Sequence, residues 1–237
     1  MSSSAELQLA YKVSNAPMNL FPFPHFVVHE VFPADFYAAM QSNLPRAETL
    51  RSLKEARGVS GYDERFVFEF KPGQLELLEP GQREFWQSLH AWMVGGRFAH
   101  LMLSKFSPFI RQRFGDTSSV RFYDEALLVQ DTTNYKLGPH TDAPRKVLTL
   151  LFYLPRDASQ SHLGTSIYLP KDRDFRCPGG PHHPHERFDR VWTVPFLPNT
   201  LFVFFKNDVS FHGVEPVGDA GVRRWLLLYD IFHRPAD

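Results

Sequence analysis

Hydrophobic positions along this chain change their period near its middle. Between Gly81 and Phe114 the apolar residues Phe85, Leu89, Trp92, Met93, Phe98, Leu101, Met102 and Phe106 recur at helical spacing. Such a stripe predicts amphipathic helices packed on a sheet, and Gly95-Gly96 predicts a break into two. After Asp116 the pattern turns to short β runs separated by turns, predicting strands near 122–130, 138–142, 146–154, 164–169, 190–195, 200–205, 211–217 and 223–232. Many short strands in succession predict a sandwich or barrel. Ahead of the helices, Phe21 to Phe32 reads as a strand and Pro33 to Pro45 as a helix, with proline near its start. Arg65-Phe-Val-Phe-Glu-Phe70, with phenylalanine at every second position, predicts a strand ended by the Pro72-Gly73 turn. Residues 1–20 read as a partly ordered lead-in. The expected architecture is a single domain over 1–237. It is mostly β with flanking helices: a helical and strand elaboration over about 1–120 buttresses a jelly-roll core over about 121–237.

Composition narrows the function classes. The 237 residues are 43 % hydrophobic and include 23 phenylalanines, enough for a sizeable core. Lysine plus arginine and aspartate plus glutamate each number 26, so the chain carries no net charge. No basic footprint for nucleic acid exists, and the expected partner is a small molecule or metabolite. One cysteine, Cys177, excludes an internal disulfide and a Cys-built metal site. The first residues lack a basic and an apolar segment of signal-peptide type, and no apolar run reaches bilayer length. A cytoplasmic protein that does not engage a membrane is therefore expected; its oligomeric state is not legible.

The chemistry concentrates in His140-Thr-Asp142, with His212 and Arg224 far downstream. Two imidazoles and one carboxylate form a facial set that leaves the opposite positions of Fe(II) open. Residues i and i+2 of a strand point to one side, so His140 and Asp142 can reach one metal, and the third ligand has to come from another strand. Two further stretches flank this set: Asn134 to Pro155, which contains it, and Asn199 to Val217, where His212 is followed by Val214-Glu-Pro-Val217.

Together these stretches, over roughly residues 122–232, resemble the Fe(II)- and 2-oxoglutarate-dependent dioxygenases, in particular their prolyl-4-hydroxylase-like branch. The resemblance implies a double-stranded β-helix. It implies His140, Asp142 and His212 as iron ligands, 2-oxoglutarate as cosubstrate and O2 as oxidant. The reaction expected from it is hydroxylation of an unactivated C–H of a small-molecule or carrier- or peptide-bound substrate, with release of succinate and CO2. A guanidinium fork suits the far carboxylate of 2-oxoglutarate. Matching the family pattern assigns that role to Arg224, with Arg223 as the alternative on the opposite strand face. The same matching brings Tyr153 to the far carboxylate with Thr149 close by, and Gln130 stands where relatives often carry a tyrosine reaching the keto acid end. Asp142 is the carboxylate that related halogenases lack, which favours hydroxylation, with desaturation or cyclisation open.

Two other classes remain at this stage: a non-catalytic jelly-roll binding module, and a cupin-type metalloenzyme with no use for 2-oxoglutarate. Substrate choice is expected to lie in residues 48–64 and in the Pro/Gly/His-rich stretch 170–189. There His182, His183 and His185 read first as a solvent-exposed loop. Arg145 and Lys136 flank the triad strand and are candidates for meeting an anionic substrate. Tyr135 and His162 are expected near the same mouth.

Overall fold

The computed structural model describes residues 2–235. Two antiparallel sheets face each other. The larger has the strand order β1 (His25–His29), β9 (Thr200–Phe205), β6 (Lys146–Tyr153), β11 (Arg223–Pro235), β4 (Val120–Thr132), β3 (Arg65–Glu69) and β2 (Arg51–Ser52). The smaller runs β5 (Leu137–His140), β10 (His212–Val214), β7 (Thr165–Pro170) and β8 (Phe188–Val194). This is the expected jelly roll, extended by β1 at one edge and by β3 and β2 at the other.

Helices cover one face of the larger sheet. They are α1 (Ser2–Asn15), α2 (Ala34–Ser42), α5 (Pro80–Met93), α6 (Arg97–Lys105) and α7 (Ser107–Phe114). Trp86, Leu89, Met93, Phe98, Met102 and Phe106 pack there on Leu148, Leu150, Phe152, Leu227, Tyr229 and Ile231. The helical stripe and the alternate strand residues thus meet as one core. Residues 1–20 differ from the expected lead-in: most of them form α1, which buries Ala5, Leu9 and Val13 in this core. Their spacing of four places all three on one helix face.

Two short helices escaped the sequence reading, α3 (Leu53–Arg57) and α4 (Pro72–Leu75). A capping box starts α3. The Glu55 amide donates to the Ser52 hydroxyl at 3.2 Å, and the Ser52 amide donates to the Glu55 carboxylate at 3.0 Å. Gly58, with φ +68°, ends it in the left-handed region where a side chain would be strained. Leu53 and Ala56 pack against Val67, Leu127, Val129 and Leu226. In this way α3 covers part of the inner face of the larger sheet, beyond the reach of the smaller one.

Candidate metal centre

His140 and His212 are 72 positions apart in sequence but directly opposite each other on β5 and β10. The two strands come close because Gly213 carries no side chain: a Cβ there would lie 2.3 Å from the Leu137 carbonyl oxygen. Asp142 departs in detail from the expectation of one strand for both ligands. β5 ends at His140, and Asp142 lies in the following turn. Donor atoms of His140, Asp142 and His212 all lie within 4.8 Å of one another, and all three residues are buried. Each imidazole Nε2 is 3.9 Å from Asp142 Oδ1.

The surroundings prepare these groups as ligands. Nδ1 of His140 lies 3.0 Å from the Gly138 carbonyl, and Nδ1 of His212 lies 2.9 Å from that of Ser210. With Nδ1–H donating to these carbonyls, each Nε2 lone pair is left free for a metal. Burial pushes both imidazoles below their ordinary range, His140 furthest, with His212 adding to it, so both rings are neutral. Burial works to raise the Asp142 carboxyl. Lys146, His212, His140 and the Thr149 hydroxyl together outweigh it and hold the group well below the usual carboxylate range. Thr149 donates to Asp142 Oδ2 at 2.6 Å, while Lys146 Nζ stands 3.5 Å from Asp142 Oδ1 and 3.0 Å from Asp230 Oδ1. Two neutral imidazoles and an ionised carboxylate are the donor set Fe(II) takes.

The three side chains open onto a cavity of about 290 Å³, at the small end of ligand pockets. Its wall is the inner face of β11, where Arg224, Leu226, Leu228, Asp230 and Phe232 follow at every second position. Arg224 is 1 % exposed, whereas Arg223 is on the outside. This parity separates the two arginines. Arg224 Nε donates to the Leu163 carbonyl at 2.7 Å and Nη1 to Asp131 at 2.8 Å, leaving Nη2 without a protein acceptor among the described residues. Asp131 is shared: Arg65 donates to it at 2.7 and 3.0 Å. Two guanidiniums around one carboxylate leave this end of the cavity with one surplus positive charge.

The other expected contacts divide. Thr149 lines the cavity, but its hydroxyl serves Asp142 and not the Arg224 end. Tyr153 is fully buried with its ring 5.7 Å from the Arg224 guanidinium, and its hydroxyl donates to Thr165 at 2.8 Å. Thr165 lines the cavity where Tyr153 does not. Gln130 is not brought to the site. The two-residue period of β4 turns Val129 and Asp131 inward, so Gln130 shares the helix-covered face with Leu128.

The histidine-rich stretch is the largely solvent-exposed loop expected, and it also packs beside the site. Gly179 lets it cross the triad turn, since a Cβ there would lie 2.3 Å from the Asp142 carbonyl oxygen. The His182 ring is then 4.9 Å from that of His140, and His182 Nε2 lies 3.0 Å from the Tyr62 hydroxyl. His183 packs among Phe175, Phe188 and Phe211, and His185 packs on Tyr168. Tyr135 is buried under Arg65, whose guanidinium sits 4.5 Å from its ring, and His162 pairs with Asp219 at the surface at 2.6 Å. Lys136 is exposed and off the cavity, while Arg145 lines it. Sequence reasoning missed Asp131, Arg65, Lys146 and Asp230. Only Asp230 carried a signal, its even spacing from Arg224 along β11.

Solved structures with this arrangement of sheets are numerous. A prolyl-4-hydroxylase of Pseudomonas putida matches over 95 % of this chain and 99 % of its own, with a TM-score of 0.51 and 17 % identity. The fold is that of the prolyl hydroxylases. A prolyl hydroxylase from Trichoplax adhaerens, solved with a peptide of hypoxia inducible factor, matches over 97 % of this chain and 90 % of its own at TM-score 0.52 and 14 % identity. The epimerase SnoN, solved with Fe3+, α-ketoglutarate and nogalamycin RO, matches over 100 % and 88 % at TM-score 0.52 and 13 % identity. No family model and no curated protein matches the chain. The resemblance read from the sequence holds at the level of the prolyl-hydroxylase fold. Among the described residues no helix is long and apolar enough to cross a membrane.

Proposed function

We propose that this protein is an Fe(II)- and 2-oxoglutarate-dependent dioxygenase that hydroxylates an unactivated C–H of a small-molecule substrate. The observation carrying the proposal is the joint placement of two features in one cavity. One is a buried, ligand-ready His140–Asp142–His212 set; the other is a buried Arg224 on its far wall. A cupin-type enzyme without 2-oxoglutarate has no use for the second, and a non-catalytic binding module has no use for either.

Iron held by the triad would supply activation of O2, coupled to oxidative decarboxylation of 2-oxoglutarate to succinate and CO2. The chain's own residues do the positioning. Arg224 would receive the far carboxylate of the cosubstrate, with Nη2 facing it and Asp131 and the Leu163 carbonyl holding the guanidinium plane. Thr149 and Lys146 hold the Asp142 carboxylate in its ligating orientation. Leu226, Leu228, Val129 and Leu151 line the space between, an apolar wall that excludes water from the reacting atoms.

The test is an anaerobic titration of the metal-free protein with Fe(II) and then 2-oxoglutarate, followed by the visible charge-transfer band of the chelate. We expect saturation at one equivalent and no band in Asp142→Ala. A folded wild-type protein giving no band would overturn the reading. A metal-binding protein indifferent to 2-oxoglutarate would point to the cupin class.

A further inference from the structure

Nearly every charged side chain around the cavity has an internal partner. Arg57 is paired with Glu69 and Glu125, Arg65 and Arg224 share Asp131, and Lys146 stands between Asp142 and Asp230. Arg145 is the exception among the described residues. It lines the cavity, and no carboxylate lies within ion-pair distance of it. Its guanidinium stands 5.5 Å from the centroid of Phe232, itself part of the wall.

The backbone beneath Arg145 is pinned from three sides. Arg113 of α7 donates to the carbonyls of Pro144 at 2.5 Å and of Lys146 at 2.7 Å, the residues on either side of Arg145. The carbonyl of Arg145 accepts from the His233 amide at 2.8 Å. Arg145 is thus an exposed arginine on a fixed stretch of backbone, with its guanidinium resting near Phe232.

Strand geometry says which ligand this charge can meet. Arg224 and Phe232 mark the two ends of the β11 wall, about 27 Å apart at roughly 3.4 Å per residue. Thr149, which holds Asp142, pairs in register with Asp230, so a five-carbon dicarboxylate reaching from Arg224 to the triad would leave the Phe232 end of the wall uncovered. Among the paired charges there, the lining includes Leu228 with Leu53 and Leu127 beside it, and Phe232, while Arg145 is the cation of that end without a carboxylate partner among the described residues. The acids there, Glu125 and Asp230, are already paired.

We propose that this end of the cavity takes the primary substrate, an organic anion with an apolar or aromatic skeleton, and that Arg145 selects it by its carboxylate or phosphate group. The apolar skeleton lies on the wall, and the anion meets the guanidinium at the rim. This assignment rests on the dioxygenase reading for which group occupies the Arg224 end, but the anion site at Arg145 can be tested apart from it.

The experiment is calorimetric titration of protein loaded with Mn(II) and 2-oxoglutarate. The probes are phenylbutyrate, phenylbutyl phosphate, phenylbutanol and phenylbutylamine. We expect at least one anionic probe to bind about tenfold or more tighter than the alcohol and the amine, the worth of one charge-assisted hydrogen bond. Arg145→Gln should erase that preference, and Arg145→Lys should keep part of it. Both variants should bind 2-oxoglutarate within about twofold of wild type, because Arg145 lies away from Arg224. Comparison of the carboxylate with the phosphate tells which anion the rim fits. An anion preference that survives Arg145→Gln, equal binding of neutral and anionic probes, or no binding of any probe would overturn the proposal. Failure of 2-oxoglutarate to bind would count against the dioxygenase reading instead, and the same series on the metal-free protein would then decide this one.

Discussion

Along β11, Trp225, Leu227, Tyr229 and Ile231 face the helices, while Arg224, Leu226, Leu228, Asp230 and Phe232 face the cavity. Both faces are buried, yet they are made of different materials. The helix-covered face is a continuous apolar core whose burial stabilises the fold by roughly 25 cal/mol per Å² removed from water. The cavity face buries ionic groups that are costly to desolvate and tolerable only when paired. Asp131 answers Arg65 and Arg224, and Lys146 answers Asp142 and Asp230. Burial nonetheless pushes the Asp230 carboxyl up to about 6, a sign of how little solvent reaches this side. One strand thus carries stability on one side and chemistry on the other. Mutations one residue apart on this strand should therefore fail in different ways.

The largest separation is expected from Leu227→Ala. It deletes fully buried apolar volume and should cost about 2–5 kcal/mol in urea unfolding, with Mn(II) and 2-oxoglutarate affinities of the folded protein unchanged. Loss of ligand affinity in parallel with stability would mean that the two faces are not independent. Arg224→Gln, three positions away on the other face, should weaken 2-oxoglutarate binding by about 10–100-fold, the worth of a hydrogen bond between charged groups. Mn(II) binding should be nearly untouched, and Arg223→Gln should change neither. An equal effect of the two arginine variants would undo the parity argument. The smallest effect is expected of Thr149→Val. Loss of its hydrogen bond to Asp142 should lower metal affinity by about tenfold and leave 2-oxoglutarate affinity at saturating metal as it was. The reverse outcome would return Thr149 to the far-carboxylate role that the family pattern suggested.

How much of this was legible in the sequence depended on range. Period-two alternation put Arg224 and Arg223 on opposite faces of β11 and the family pattern chose Arg224, while the helical stripe over 81–114 gave two helices where the structure has three, α5, α6 and α7. The same local logic was available for α1, through Ala5, Leu9 and Val13, and for α3, through the Ser52–Glu55 box; both signals are short and easily passed over. Gln130 shows the limit of matching by position. A residue can stand at the family's place in the alignment and still face the helices, because strand parity around Val129 and Asp131 turns it away. His182 shows the limit of composition. A Pro/Gly/His-rich stretch reads as an exposed loop, which it is, but nothing in that composition tells that Gly179 crosses beside Asp142 at a distance that admits no side chain.

Local periodicity and the donor chemistry of iron carried the jelly roll, the candidate ligand types and their order along the chain, and the family resemblance chose the arginine at the far wall. The pairings came from tertiary contacts. His140 meets His212 through strand register, Asp131 joins Arg65 to Arg224 across three strands, Lys146 joins Asp142 to Asp230, and Arg145 is left over. Which buried charges neutralise one another depends on contacts between residues far apart in the chain, and no local pattern encodes those distances.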